Sequence, residues 1–356
     1  MFNYQNCWVL VDVSFLLNYG AHATFVKYKD QYAEMCGEDF NPLEEIDTFE
    51  SEMLAYFDQQ LFNAISSISP IIKREKVIYC FDCPRHKIWR KEIFEGYKGN
   101  RDKVKRKFNM KPIHETVREW INKQCVDYKS QIAKADSAEG DDLLYHFTKR
   151  ILTETSDSVI NVSGDFDICT LLGDRVKQVH PDGTELSLEL MYEKIEKKHK
   201  MTIEFDKTAE NFLHFKILTG DTSDSIPSVR PRKMGPKTAP KYIADLSMLS
   251  KLLKSDNEVF EAYKRNTKLI KMKDVPVEVT NIINESTKDV VLFSESSGVV
   301  EQRPIEEKNN YEDLTKVVSD SCVEYKAEES VVQVEVKQKS DEELDLDKLL
   351  DDVCGQ

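Results

Sequence analysis

Three short apolar runs in this chain each end at an acid. Trp8-Val9-Leu10-Val11 leads into Asp12, and Val77-Ile78-Tyr79-Cys80-Phe81 into Asp82. Ser158-Val159-Ile160-Asn161-Val162 leads into Ser163-Gly164-Asp165-Phe166-Asp167. Runs this short and this apolar read as strands buried on both faces. Helical periodicity separates them. From Glu50 to Ile68, the residues Met53, Leu54, Phe57, Leu61, Ile65 and Ile68 keep one face, and Pro70 stops the helix. This alternation predicts an α/β fold with a mixed, mainly parallel sheet flanked by helices. Ligands of such sheets bind beyond the carboxyl ends of the strands, where Asp12, Asp82, Asp165 and Asp167 stand.

A fourth acid group opens a helix. In Ala138-Glu139-Gly140-Asp141-Asp142-Leu143-Leu144, three carboxylates precede an apolar stripe of Leu143, Leu144, Phe147 and Ile151. Glu139 and Asp142 share a helix face. Alone, these would be first-turn acids favoured by the helix dipole. Together with three acid-tipped strands they form a set. Crowded carboxylates repel one another, and divalent cations relieve that repulsion. Mg²⁺ and Mn²⁺ prefer carboxylate and water oxygens. Two such ions roughly 4 Å apart clamp an in-line phosphoryl displacement. Zinc is disfavoured, because Cys80-x-x-Cys83 has no second pair and reads as buried strand cysteines. No H-E-x-x-H, G-x-S-x-G or P-loop pattern occurs.

The net charge of −14 hides an uneven spread. From Glu285 to Gln356 there are 20 acidic and 8 basic residues, leaving the first 284 residues near neutrality. From Arg85 to Arg118 there are 12 basic residues against 4 acids. A basic block beside an acid cluster suits a polyanion held next to metal ions. The eight cysteines have no regular spacing, and Met1–Val11 has no signal-peptide pattern. The expectation is reduced thiols and a cytoplasmic location, the host cytoplasm for a phage chain. No apolar run reaches membrane-spanning length.

Residues 27–49 read as a polar, poorly ordered insertion. A helix over Asn211–Leu218 leads into Gly220-Asp221-Thr222-Ser223-Asp224, adding Asp221 and Asp224 to the acids. Ser228–Lys241 then carries Arg230, Arg232, Lys233, Lys237 and Lys241 around Met234-Gly235-Pro236. A glycine before a helix start, with basic neighbours, can hold a backbone phosphate. Alone it would be an ordinary loop with solvated lysines. Residues 245–283 read as helices with a core of Leu249, Leu252, Leu253, Phe260, Tyr263, Leu269 and Ile270. The acidic remainder favours disorder. At its end Leu346, Leu349, Leu350 and Val353 form a stripe that suits a partner-binding helix over 344–353.

As an ordered set, these motifs resemble the flap endonuclease (5′-nuclease) family. The similarity is strongest to its phage ribonuclease H and 5′-3′ exonuclease members, over roughly residues 8–283. It rests on Asp12, Asp82, Tyr97-Lys98-Gly99-Asn100-Arg101, Glu139-Gly140-Asp141-Asp142, Gly164-Asp165-Phe166-Asp167 and Gly220-Asp221-Thr222-Ser223-Asp224. The resemblance implies a PIN-like nuclease core over 1–220, with a helical arch at about 85–135. It further implies a helix-three-turn-helix and C-terminal helices over 221–284, and an acidic tail over 285–356. It implies two Mg²⁺ ions per site, with Mn²⁺ able to substitute. Asp12, Asp82, Glu139 and Asp141 would hold the first ion. Asp165, Asp167 and Asp221 would hold the second, supported by Asp142 and Asp224. Lys98 and Arg101 would contact the scissile phosphate, and a terminal base would stack on Tyr97.

Arg85, Lys87, Arg90, Lys91, Lys103, Lys105 and Lys107 would track the single strand through the arch. Arg232, Lys233, Gly235 and Lys237 would grip duplex. Here the family's G-x-x-G-I-G turn is replaced by the longer Ser228–Gly235. The implied activity is 5′→3′ exonuclease and flap endonuclease with ribonuclease H-type action, removing RNA primers and 5′ flaps in replication. Implied partners are DNA, RNA–DNA hybrid, and a sliding clamp or single-strand-binding protein at the tail of a monomer. The alternatives are a ribonuclease acting on unstructured RNA and a non-catalytic replication scaffold.

Overall fold

The computed structural model describes residues 1–36, 49–69, 72–102, 111–293 and 300–301. Its centre is a six-stranded sheet. The strands are β1 (Cys7–Asp12), β3 (Val77–Phe81), β4 (Gln131–Lys134), β5 (Ser158–Val162), β6 (Val176–Val179) and β7 (Glu185–Leu186). The order is β4-β3-β1-β5-β6-β7, parallel except for the β6–β7 pair. Ile72–Lys73, here β2, pairs antiparallel with Val300–Glu301, here β8, as a separate ribbon.

Because strand side chains alternate, β1 feeds two cores. Val9 and Val11 face helices α1 (Val13–Cys36), α2 (Phe49–Ile68) and, through Ile113, Val117 and Ile121, the helix α4 (Lys111–Tyr128), which follows the short α3 (Arg90–Ile93) in the chain. Trp8 and Leu10 face α5 (Gly140–Glu154) and α11 (Val277–Ser286). Leu143, Leu144, Phe147 and Ile151 are fully buried, as their spacing predicts. A third core joins α6 (Leu188–His199), α7 (Ala209–Thr219), α8 (Ala239–Ala244), α9 (Leu246–Ser255) and α10 (Asn257–Ile270). Pro240 lies in the first turn of α8, where a missing N–H costs little.

Register sets the site. Asp12 lies opposite Cys80, and Val11 opposite Val162. Asp12 therefore stands between the strand end carrying Asp82 and the turn carrying Asp165. The chain builds outward from β1 to β3 and β4, then returns to the other side of β1 with β5. That reversal opens a crevice at the carboxyl ends.

Three expectations are corrected. Residues 111–134 are no arch. Ile113, Val117 and Ile121, at a spacing of four, bury one face of α4 in the core, and 131–134 form an edge strand of the sheet. Lys103, Lys105 and Lys107 lie outside the described residues. Second, the backbone of α1 continues as helix to Cys36, into the stretch read as an insertion. Third, the folded chain passes the boundary at 285. Val290 is buried, Val291 bonds the Gln131 side chain on the edge strand, and the Phe293 ring packs on Trp8 at 5.1 Å. The stripe at 344–353 lies outside the described residues. Among the described residues no helix is long and apolar enough to cross a membrane.

Candidate metal-binding nuclease site

Four acids gather at the crevice without an ion pair among the described residues: Asp12, Asp82, Asp141 and Asp165. Asp12 ends β1 and is buried; its carboxylate accepts from the Phe15 amide at 2.9 Å and the Ser163 hydroxyl at 2.9 Å. Asp82 accepts from the Gly140 amide, the start of α5, at 2.6 Å. A β-carbon at 140 would sit 3.1 Å from that same Asp82 oxygen. The glycine of Glu139-Gly140-Asp141 thus lets a strand-end acid approach a helix start. Asp165 caps a short 3₁₀ turn, accepting from the Asp167 amide at 2.9 Å.

These acids repel one another. Burial, followed by Asp82 and Asp165, pushes Asp12 up to about 7. Burial, then Asp165 and Asp12, pushes Asp141 well above the carboxylate range. Hard oxygen donors, crowded and uncompensated, fit Mg²⁺ or Mn²⁺. Asp12, Asp82, Asp141 and Asp165 are the residues that would hold such an ion.

The remaining acids already have cations. Glu139 is buried; it accepts from Arg90 at 3.0 Å, from the Tyr97 hydroxyl at 2.9 Å and from Lys98. Burial works to raise its pKa, but Lys98 and Arg90 prevail and hold it low. Lys216 places its ammonium 2.6 Å from both Asp167 oxygens and 2.5 Å from Asp221. Burial raises Asp167 to about 7 despite Lys216, while Asp221, also opposed by burial, is held low by Lys216 and Ser223. Among the described residues, no three acid, histidine or cysteine side chains converge closely enough to enclose an ion as they stand. The ammonium groups of Lys98 and Lys216 hold the outer acids in their present places.

Two sequence motifs are pinned together. The Lys98 amide donates to the Asp224 carbonyl at 2.7 Å, and the Tyr97 hydroxyl, whose one proton Glu139 and Asp224 share, lies 3.0 Å from the Asp224 carboxylate. The Asn100 amide meets the Ser225 hydroxyl at 3.1 Å, and its side chain the Thr222 carbonyl at 2.8 Å. Gly220 adopts φ +73°, and a β-carbon there would collide with the Ile226 carbonyl. Lys98 itself takes φ +56°, a left-handed conformation uncommon for a lysine.

Several roles read from sequence change. Arg90 is buried, its guanidinium bonded to Glu139, to both oxygens of Asp142 and to the Leu269 carbonyl. It has no surface to offer a polyanion. Asp142 is consumed by Arg90, the Trp89 indole at 3.0 Å and the Glu139 amide at 3.0 Å, so it braces the site and does not face it. Tyr97 is 3% exposed, so its ring gives a base no stacking face. Arg101 lies within the turn Gly99–Asp102, and its side chain lies outside the described residues. Lys87 is exposed and paired with Asp136 at 2.9 Å, while Arg85 and Lys91 are half-buried. Arg232, Lys233 and Lys237 are exposed, with Gly235 half-buried between them. Sequence reading missed Lys216 and Ser163. Neither spacing nor charge singles out one lysine within a helix.

A pH effect follows from Asp12. Its raised pKa means the folded metal-free protein binds more protons than the unfolded chain until about pH 7 is passed. Stability should therefore fall as pH rises from 6.5 to 8. His146, lowered to about 4 by burial, acts the other way until the unfolded imidazole has lost its proton, as do His199 and His214. Asp141 and Asp167, raised like Asp12, add to the fall. Melting in EDTA should show a lower Tm at pH 8 than at 6.5, and Mg²⁺ should raise Tm more at pH 8. An equal Mg²⁺ increment at both values would contradict the uncompensated cluster.

Known proteins share the sequence pattern and the fold of this chain. A family model described as the 5′-3′ exonuclease, N-terminal resolvase-like domain, matches residues 24–212. The thermostable DNA polymerase I of Thermus filiformis is 28% identical over 204 residues, which are 56% of this chain and 22% of the polymerase. That of Thermus thermophilus is 26% identical over the same length. The chain thus spans about a fifth of these curated relatives. Among solved structures, the T5 5′-exonuclease with bound zinc ions superimposes with a TM-score of 0.52 at 20% identity, covering 80% of this chain and 97% of the other. A bacteriophage T5 flap endonuclease in complex with DNA and metal ions matches with the same score, identity and coverage. The shared fold is the PIN-like nuclease fold, a mainly parallel six-stranded sheet flanked by helices. The extent of the family match settles the membership: the chain belongs to the 5′-3′ exonuclease N-terminal resolvase-like domain family.

Proposed function

We propose that this protein is a Mg²⁺-dependent 5′→3′ nuclease, with Mn²⁺ able to substitute, that cleaves phosphodiesters near the 5′ end of a strand annealed to a template. The observation that carries the reading is the uncompensated quartet Asp12, Asp82, Asp141 and Asp165 at the carboxyl end of the sheet. When bound, the metal would supply a nucleophilic hydroxide at neutral pH and charge neutralisation at the phosphate. Asp12 and Asp141 repel each other and would hold the cation in relief of that repulsion. Ser163 and the Phe15 amide fix the Asp12 carboxylate, and the Gly140 amide fixes Asp82. Lys98, held by Glu139, is the ammonium that would exchange a carboxylate for a phosphate oxygen. Glu139, Asp167, Asp221 and Asp224 are proposed to join the metal environment when Lys98 and Lys216 give way.

The exposed Arg232, Lys233 and Lys237 support a duplex grip. RNA primers in hybrids and 5′ flaps in DNA are the proposed substrates, and a clamp or single-strand-binding protein the proposed tail partner. The test is cleavage of a 5′-labelled flap, a hybrid and a single strand, with Mg²⁺ and with EDTA. Metal-dependent cleavage of flap and hybrid, with the single strand cut at least tenfold more slowly, is the expected result. Preference for the single strand would favour a ribonuclease-like enzyme, and no cleavage would favour a scaffold.

A further inference from the structure

The acid cluster has two halves that differ in charge. Asp12, Asp82, Asp141 and Asp165 have no ion-pair partner among the described residues. Asp167 and Asp221 share Lys216, whose ammonium lies 2.6 Å from both oxygens of the first and 2.5 Å from the second. The lysine side chain is only 15% exposed, and its ammonium also lies 5.9 Å from the centre of the Phe212 ring. The ammonium therefore occupies the space between the two carboxylates where a cation would have to sit. A divalent ion approaching this half meets two carboxylates that already share one ammonium, which partly offsets their charge and fills the gap between them. An ion approaching the other half meets acids that repel one another and gain by its arrival.

The position of Lys216 in the chain adds a second argument. It lies on α7, which is capped by Gly220 immediately before the Asp221–Asp224 turn. The exposed Arg232 and Lys233 of the proposed duplex grip follow in the same connection to α8. A nucleic-acid phosphate entering the crevice would offer the ammonium another anion, and would release the two carboxylates.

We propose that Lys216 is a resident cation of the second half of the site, so that Asp167 and Asp221 accept a divalent ion only after the ammonium is displaced. The inference rests on the two-ion reading of the acid cluster. Its consequence is ordered loading: one ion binds the DNA-free protein, and the second binds when substrate draws Lys216 away.

The test is Mn²⁺ binding to the full-length, DNA-free protein, followed by electron paramagnetic resonance of the free ion. The wild type should take up one Mn²⁺ tightly, with a second at least tenfold weaker. Lys216→Met and Lys216→Gln, run together so that one folded variant suffices, should bring the second affinity to within about threefold of the first. Lys216→Arg keeps the charge and should behave as wild type. Two equal sites in the wild type would overturn the proposal and leave the two-ion reading intact. A single site in both neutral variants would also overturn it, because removing the ammonium would have opened nothing. No Mn²⁺ uptake by any form would remove the two-ion reading itself, and the proposal with it.

Discussion

Asp141→Asn is expected to lower kcat by roughly 10³-fold, on the order of 4 kcal/mol of transition-state stabilisation, while DNA affinity stays within about threefold. The asymmetry comes from what Asp141 touches. It follows Gly140 at the start of α5, and its electrostatic neighbours are Asp165, Asp12 and, more weakly, Lys98. Burial and those two aspartates make its ionised form unfavourable in the metal-free protein. An amide of the same size removes that repulsion and loses no structural bond. The variant should therefore be as stable as the wild type in EDTA at pH 8, or more stable, and lose most of its stabilisation by Mg²⁺. An inactive yet stabilised variant is what a site built at the expense of stability produces. The measurement pairs single-turnover cleavage with thermal melting, each with and without Mg²⁺. Full Mg²⁺-dependent activity would remove Asp141 from the metal site. Loss of stability in EDTA would place it among the bracing residues instead.

That contrast marks where the sequence was legible. The strands β3 and β5 fall where their apolar runs place them, because a buried parallel strand must be continuously apolar. The α5 stripe is equally plain. What charge and spacing could not reveal is which ionic side chains are spent on one another. Arg90 reads as one more cation in a basic block. Its fate is decided by Asp142 and Glu139, about fifty residues away, and by a carbonyl at Leu269. Lys216 reads as an ordinary helical lysine until the fold brings Asp167 beside it. Tyr97 and Lys98 stand out in the sequence as part of a motif, yet the ring is buried and its hydroxyl lies within hydrogen-bonding distance of two acids. The arch at about 85–135 is an expectation carried by the resemblance, and the periodicity of its second half points elsewhere. Ile113, Val117 and Ile121 already carried a core-facing stripe. Local pattern gives the elements; tertiary contacts decide whether a charge is displayed or consumed.

Arg90→Met should destabilise the protein by about 3–5 kcal/mol, the usual cost of stranding a buried charge partner. The guanidinium is 4% exposed, and Asp142 is 1% exposed. One fork of Arg90 meets Asp142 at 2.8 Å and 3.0 Å, a second bond reaches Glu139 at 3.0 Å, and the Nε donates to Leu269 at 2.9 Å. The residue thus ties the first turn of α5 to the end of α10, the last helix of the C-terminal core. Removing it leaves Asp142 with only the Trp89 indole and the Glu139 amide. Arg90→Lys should recover little, because a single ammonium cannot span two carboxylates and a carbonyl in that geometry. Arg90→Met combined with Asp142→Asn should be less destabilised than the sum of the two single changes, since the stranded charge is gone. Urea denaturation of the four proteins, in EDTA and then in Mg²⁺, measures the coupling. A polyanion contact would give another signature: near-normal stability, weaker DNA binding and a smaller salt slope. A loss below about 1 kcal/mol, the range of an exposed ion pair, would return Arg90 to the DNA-binding surface. A large loss with strong coupling would fix it as the brace that holds Glu139 and Asp142 at the head of the acid cluster.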